Sequence, residues 1–593
     1  MINMIAKNQK PMLTILIAAE PSPEEIYASN ELRHYLNMMT GASFTISSTS
    51  TSEKNGSVIA IGTAAEILGV THLKVNRKTN DDAFTVRRVD DSIAIVGGMR
   101  GVIYGVYELL EHLGCRFFTP ICEQIPVNPD LVMPDIDITQ EPVLEYRHHH
   151  SRDINQSQRF AVKCRINTGE RKSGLGGGIK YALFVHTFEN LVSVEEYFDT
   201  HPEYFAMVKG ERRRDMTQLC LTNKDVLEIA INKTREILFK KPDCQIMSIS
   251  QNDFFDSVCT CADCSAIDEY EGSHAGSLIA FVNQVAERLE AEFPDVIFDT
   301  LAYQYSRKAP KYIRPRHNVC VRLCSIECCF SHTYADCSDA YRNMPWADEA
   351  MSTSFIDDLS DWAKVCNRMY IWDYVTNFAS YPQPFPNWNV LQPNMQALIK
   401  NNVKGVFEQG CACHGFSTDL NELRAYLLSK LLWDADCDIE RHKREFLDYY
   451  YGAAAPHIAD YIKTLTDKVE QENIHAAIFD TTDVKYLTDD MLEILNAIFD
   501  KAEQAVASDA LRLARVAKAR LSIRWVELKN KAMLKNQKDP TEINQFFSDW
   551  KAHGLTRIDE WVSAETTLRA LLDGKWRGTE YYRYWWEEGS EIL

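Results

Sequence analysis

Between residues 143 and 408 short apolar runs recur, and most of them end in polar side chains. The runs are VLEYRHH, YALFVHT, TQLCLT, CQIMSIS, IFDTLAYQY, NVCVRLCSI, RMYIWDY and KGVFEQG, with longer helical or irregular stretches between them. Parallel strands need such crossovers, and strands covered on both faces read as near-continuous apolar runs. Eight strands over this span fit a (β/α)8 barrel. AVKCRIN competes for a place in the register, and a doubly wound open sheet is the alternative.

The flanks differ from this middle. Residues 12–135 alternate strand and helix: MLTILIAA, SVIAIG, AFTVRRVDD and SIAIVGG read as strands, SPEEIYASNELRHYLNMMTG and RGVIYGVYELLEHLG as helices. The proline-rich stretch EQIPVNPDLVMPDIDITQEP then breaks any helix. After Phe416 the pattern is almost wholly helical, beginning with TDLNELRAYLLSKLLWDAD. The 593 residues exceed what one core serves. The expected division is an N-terminal α/β domain over 1–135, a TIM-type barrel over 136–416 and a helical C-terminal region over 417–593.

A formal net charge of −20 repels nucleic acid and anionic membranes, so neither is expected as a partner. No run approaches a membrane span, and the apolar run after Pro11 lacks a signal-peptide core. That reads as a cytoplasmic chain, although a trimmed periplasmic or secreted one would look the same. The 17 cysteines are odd in number, and several, such as Cys220, Cys320 and Cys324, sit inside apolar runs. Reduced thiols fit this better than a disulfide framework.

In a barrel the active site lies at the C-terminal ends of the strands. The polar residues there are Arg147, His149 (between His148 and His150), His186, Asn252, Asp253, Tyr303, Tyr305, Glu327, Trp372, Asp373, Tyr374 and Glu408. Glycoside hydrolysis needs one protonated acid at the leaving oxygen and a second group across the anomeric carbon. Asp253, Glu327, Asp373 and Glu408 are the candidate carboxyls, with aromatic rings to stack on sugar faces. Each of them also has a plain reading, as a solvated acid or an arginine partner. Alternation puts Glu408 on one face with Val406. Against the helix layer it would be buried without an evident partner, with a raised pKa, so it is expected at the open end of the interior.

CTCADC offers Cys259, Cys261 and Cys264 as thiolate ligands for a structural zinc, with His274 or Asp263 as fourth. CACH adds Cys411, Cys413 and His414. GLGGG lacks the Lys-Ser/Thr of a phosphate loop and reads as a rim loop. The chemistry itself requires no cofactor.

MRGVIYGVYELLEHLGCRFFTP resembles the helix closing the small domain that precedes the barrels of α-glucuronidases and β-hexosaminidases. FVHTFENLVSVEEYFDTHPEYFAMVKGERR, QLCLTN, SISQNDFFDSVCTCADC and LNELRAYLLSKLLWDADCDIERHKREFLDYYYGAAAPHIADYI resemble domain of unknown function 4838. That family is similar to glycoside hydrolase family 163. The resemblance implies an O-glycosyl hydrolase, an endo-β-N-acetylglucosaminidase acting on N-glycans, with a retaining mechanism in which the substrate's acetamido oxygen is the nucleophile. Such sites pair an acid with a nearby group that orients the acetamido, and QND offers Asn252 and Asp253 for that pair, with Asp253 taken as the acid. An inverting α-glucuronidase-like enzyme is the first alternative, with Glu327, Asp373 or Glu408 as base and Arg147 on the uronate. A carbohydrate-binding barrel without catalysis, keeping Trp372, Tyr303 and Tyr374, is the second.

Overall fold

The computed structural model describes residues 3–49, 56–70, 81–169, 172, 174–254, 257–337, 354–411 and 419–573. Cys413 and His414 of CACH lie outside the described residues. The chain forms two compact units, one of residues 1–148, 153–179 and 422–437, the other of 149–152, 180–421 and 438–593. Among the described residues no helix is long and apolar enough to cross a membrane.

The first unit is a small α/β domain. Its strands are β1 Thr14–Ala18, β2 Ile46–Thr49, β3 Val58–Ile61, β4 Phe84–Val89, β5 Ser92–Gly97 and β6 Asp137–Gln140. They are ordered β6-β4-β5-β3-β1-β2. The pairs β5–β3, β3–β1 and β1–β2 are parallel, and β6–β4 and β4–β5 are antiparallel. Helix α1 Pro23–Thr40 starts and stops where local chemistry directs. Ser22 and Glu25 form a capping box, Pro23 takes the first turn, and Gly41 closes the helix at φ 71°. Helix α2 Gly101–His112 is buried along most of its length.

The helix expected to open the C-terminal region contributes Glu422–Cys437 to this first unit. Aromatic packing explains it. Trp433 stacks on Phe84 at 5.9 Å and meets Tyr104 edge-on at 5.6 Å. The guanidinium groups of Arg147 and Arg165 lie 5.0 and 4.7 Å from its ring.

The second unit holds the larger parallel sheet. Its strands are β7 Tyr146–His150, which enters the unit at His149, β8 Ile246–Ser248, β9 Ile297–Ala302, β10 Val319–Cys324, β11 Met369–Tyr374 and β12 Val403–Gln409. The order is β7-β12-β11-β10-β9-β8. The successive pairs from β8 to β12 are all parallel. Crossover helices include α3 Lys224–Lys240, α4 Ala262–Glu271, α5 Ala275–Leu289, α6 Phe355–Val365 and α7 Leu391–Lys400. The sheet curls as part of a TIM-type barrel, the fold class expected.

Two of the eight expected strands are not regular. In YALFVHT only Tyr181–Leu183 runs beside β8, through Ala182 N to Ile246 O at 2.7 Å and Ser248 N to Leu183 O at 3.1 Å. His186, at φ 54°, ends the extended backbone there. TQLCLT makes one isolated bridge, Leu219 to Phe205. Its Gln218 side chain bonds the backbone of Asn252 instead.

After the sheet come α8 Asn421–Trp433, α9 Ile439–Tyr451, α10 Ala455–Gln471, α11 Asp489–Ala505, α12 Ala510–Met533, α13 Pro540–Ala552 and α14 Ala564–Asp573. The last three helices build their own core around Trp525, Phe546 and Trp550.

Candidate active site

Period-two alternation sorts the ends of β11 and β12 into two faces. Trp372 lies against Phe407 at 4.6 Å and Phe184 at 5.6 Å between ring centroids, and near-parallel to Tyr374. Its Nε1 donates to Gln409 Oε1 at 2.7 Å. Trp372, Tyr374, Phe407 and Gln409 therefore share the concave face. Below them Arg322, Asp299 and Tyr181 form a buried network, with the Tyr181 hydroxyl donating to Asp299 at 2.9 Å and Arg322 paired to the same carboxylate.

Asp373 and Glu408 fall on the opposite face. Asp373 accepts from Ser325 Oγ at 2.6 Å, Tyr334 OH at 2.7 Å and the Tyr374 N–H at 2.9 Å. Tyr334 packs on Phe355 of α6, and its N–H donates to Asn394 of α7, so this is the layer between sheet and helices. Glu408 is 2% exposed, and its Oε2 has no hydrogen-bond partner among the described residues. Burial first, then the charge of Asp373, pushes the Glu408 carboxyl well above its usual range. The expected convergence of four strand-end acids is thus not what the chain builds. The placement against the helix layer, which the sequence argument set aside as costly, is the one observed for Glu408, with the raised pKa it entails.

Around Trp372 several of the other candidates gather. Asp253 is exposed, and its Oδ1 accepts from Tyr303 OH at 3.1 Å. The phenols of Tyr303 and Tyr374 are buried and pushed well above their usual pKa, by desolvation first and then by charges that include Asp253 and Glu327. Glu327 pairs with Arg307 at 3.2 Å, and Arg307 also holds Asp358 at 2.7 Å. Burial raises Glu327 while Arg307 opposes the rise. His186 sits 6.1 Å from the Tyr303 ring, and its Nδ1 donates to the Gln251 carbonyl at 2.9 Å.

Three expected residues are engaged elsewhere. Asn252 uses both ends of its amide on backbone, Nδ2 to Thr217 O at 3.0 Å and Oδ1 from Glu189 N at 3.2 Å. These bonds fix the loop that carries Asp253 and orient the amide toward backbone. Arg147 belongs to the first unit, fully buried, 3.1 Å from Asp82 and bonded to the carbonyls of Leu144 and Arg165. His149 is buried, while its neighbour His150 faces Phe407 at 5.5 Å, with burial lowering its pKa to about 4. Gly410 fits closely where β12 ends: its N–H donates to His150 O at 3.1 Å, and a Cβ there would stand 3.0 Å from that oxygen.

One carboxyl at this site was not among the sequence candidates. Glu560, in an irregular segment after α13, accepts from Gln409 Nε2 at 3.2 Å. Its N–H donates to Phe378 O at 3.1 Å, and Tyr381 N bonds Ile558 O at 2.7 Å, which lays the segment on the rim after β11. Burial raises its pKa to about 7, with the charges of Asp253 and Asp559 adding and Arg557 opposing. Nothing local in RIDEW marks this role.

A separate cluster joins four thiols. Cys220, Cys259, Cys261 and Cys264 are all buried, with sulfurs within 4.8 Å of one another. Met207 N–H donates to Cys259 Sγ at 3.3 Å, and Cys261 immediately precedes α4. His274 instead pairs with Asp268 at 2.9 Å, and Asp263 is exposed, so the fourth thiol comes from QLCLTN.

The family described as domain of unknown function (DUF4838) matches residues 117–463, and that described as glycosyl hydrolase family 67 N-terminus matches 3–109. No curated protein matches the chain. Among solved structures, a family GH115 4-O-methyl-α-glucuronidase with specificity for decorated arabinogalactans aligns at TM-score 0.56 and 12% identity, over 96% of this chain and 78% of that one. A family 89 glycoside hydrolase from Clostridium perfringens, in complex with PUGNAc, aligns at TM-score 0.48 and 12% identity, over 96% and 76%. A mutant Streptomyces plicatus β-hexosaminidase aligns at 0.40 and 10%, over 77% and 92%. At 12% identity the likeness to the GH115 enzyme is one of fold alone. The DUF4838 match covers more than half of the sequence, and the chain belongs to that family.

Proposed function

We propose that the protein is a glycoside hydrolase that cleaves β-linked N-acetylglucosamine in glycans, with its site on the concave face around Asp253, Tyr303, Trp372, Tyr374 and Glu560. The observation that carries the reading is the link Trp372–Gln409–Glu560, which sets a protonatable carboxyl beside an aromatic floor, with Asp253 close enough to raise it. In this reading Glu560 protonates the glycosidic oxygen as the anomeric C–O bond breaks. The acetamido carbonyl oxygen closes on the anomeric carbon from the other side, and Asp253, braced by Tyr303, holds the acetamido N–H. Water, deprotonated by Glu560, then opens the cyclic intermediate with net retention. Burial suits Glu560 better than exposed Asp253 to the acid role.

The match to the family 67 N-terminus and the fold shared with an α-glucuronidase favour a second reading, an inverting uronidase. The arginine expected to hold its uronate, Arg147, is engaged by Asp82, which weighs against it. A panel of aryl glycosides and glycans decides. Turnover of N-acetylglucosaminides, blocked by a thiazoline mimic of the cyclised intermediate, supports the first reading. Turnover of uronides with inversion supports the second. Binding without turnover leaves a carbohydrate-binding barrel.

The four thiols supply a complete tetrahedral set, and we assign them a structural zinc.

A further inference from the structure

We infer that the protein has a second zinc site, of Cys2His2 type, that clamps the loop after β10 to the segment after α10. The ligand atoms are Cys329 Sγ, His332 Nδ1, Cys337 Sγ and His475 Nδ1. Cys329 Sγ lies 3.3 Å from His332 Nδ1 and 3.4 Å from His475 Nδ1, and Cys337 Sγ lies 3.6 Å from His475 Nδ1. The ligating atoms of all four residues fall within 4.8 Å of one another. The two imidazole rings stand 4.6 Å apart. Tetrahedral zinc, with Zn–S near 2.3 Å and Zn–N near 2.0–2.1 Å, sets sulfur and nitrogen roughly 3.5 Å apart. The observed spacings are those of a tetrahedron's edges.

Thiol–imidazole hydrogen bonds alone explain the spacing of one such pair. They do not explain why two thiols and two imidazoles from distant segments converge on one point. Cys329 and His475 are 146 residues apart in sequence, and both strands of the clamp are already held by backbone. Phe330 N–H donates to Ala476 O at 2.9 Å, Ser331 Oγ to Ile474 O at 2.7 Å, and Ala476 N–H to Ser331 Oγ at 3.1 Å. Such preorganisation brings the ligands together before metal arrives, so binding energy adds to folding energy. Four protein ligands close the coordination sphere and leave no position for substrate, which makes the site structural. The clamped loop carries Glu327 and Tyr334, the latter bonded to Asp373.

The test uses the full chain purified from zinc-supplemented growth. Elemental analysis should give about two zincs per chain, one of them from the thiol cluster. X-ray absorption at the zinc edge of the unaltered protein should show an average of about three sulfurs and one nitrogen per zinc. His475→Ala and Cys337→Ser should each lose about one zinc, and Cys261→Ser should lose the other. In Cys261→Ser the remaining zinc should show two sulfurs and two nitrogens. An all-sulfur environment, or zinc content unchanged by His475→Ala, overturns the inference. So does zinc-free wild-type protein. The absorption measurement needs no variant and decides the matter even if the substituted chains fail to fold.

Discussion

Asp373 and Glu408 are register partners on adjacent parallel strands, and both point away from the face that carries Trp372. Two carboxyls in one dry layer cannot both ionise cheaply. Asp373 has three donors to hold its charge, while Glu408 Oε2 has none among the described residues, so Glu408 keeps the proton. Both folded pKa values are raised by burial. The native state then binds more protons than the unfolded one above the usual carboxylate range, so this stability is present at low pH and lost as pH rises. Glu408→Gln should retain activity. Denaturant unfolding from pH 5 to 8 should show the wild type losing stability relative to this variant as pH rises.

Glu560→Gln should lower kcat/KM on the best glycan by about 10²–10⁴-fold. The loss should be much smaller for aryl glycosides whose leaving group needs no proton. Wild-type activity should fall as pH climbs through about 7, where Glu560 ionises, and that limb should be missing from the variant's profile. An unchanged alkaline limb in Glu560→Gln would assign the acid to another group.

Asp253→Asn should cost a similar factor, together with loss of inhibition by the thiazoline mimic, if it holds the acetamido N–H. Tyr303→Phe removes one hydrogen bond to that carboxylate and should cost about tenfold in kcat/KM. Full activity of Asp253→Asn on N-acetylglucosaminides removes it from the mechanism.

Arg147→Met should destabilise the first unit by about 3–5 kcal/mol, because it strands the buried Asp82 carboxylate with Arg100 as its remaining ion-pair partner. Burial pushes the Asp82 carboxyl up, and Arg100 and Arg147 outweigh it and hold it down at about 2. Per folded molecule, kcat/KM should be unchanged. A selective loss of uronide turnover in a fully folded variant would return Arg147 to the binding site.

What the sequence made legible was local chemistry: the Ser22 and Gly41 ends of α1, and parallel strands that close on polar residues. The strand-end rule picked out Asp253, Tyr303, Trp372 and Tyr374, which the fold places near one another. It could not tell which alternate set faced inward, because β11 is apolar on both faces, Tyr370 on one and Ile371 on the other, and β12 likewise with Phe407 and Val406. Burial on both sides erases the polar stripe that would orient a half-exposed strand. Glu560 stands 151 residues beyond Gln409, and Cys220 looked like a strand residue, so only the fold brings either to its partners.

The Gln409–Glu560 bond has a consequence for synthesis. A ribosome that has completed β12 has produced every strand of the large sheet, and the aromatic floor can form. The carboxyl that accepts from Gln409 is still 151 residues away. In the proposed mechanism a chain interrupted in that interval lacks its general acid, so hydrolysis would wait until translation has passed α13 and reached Glu560.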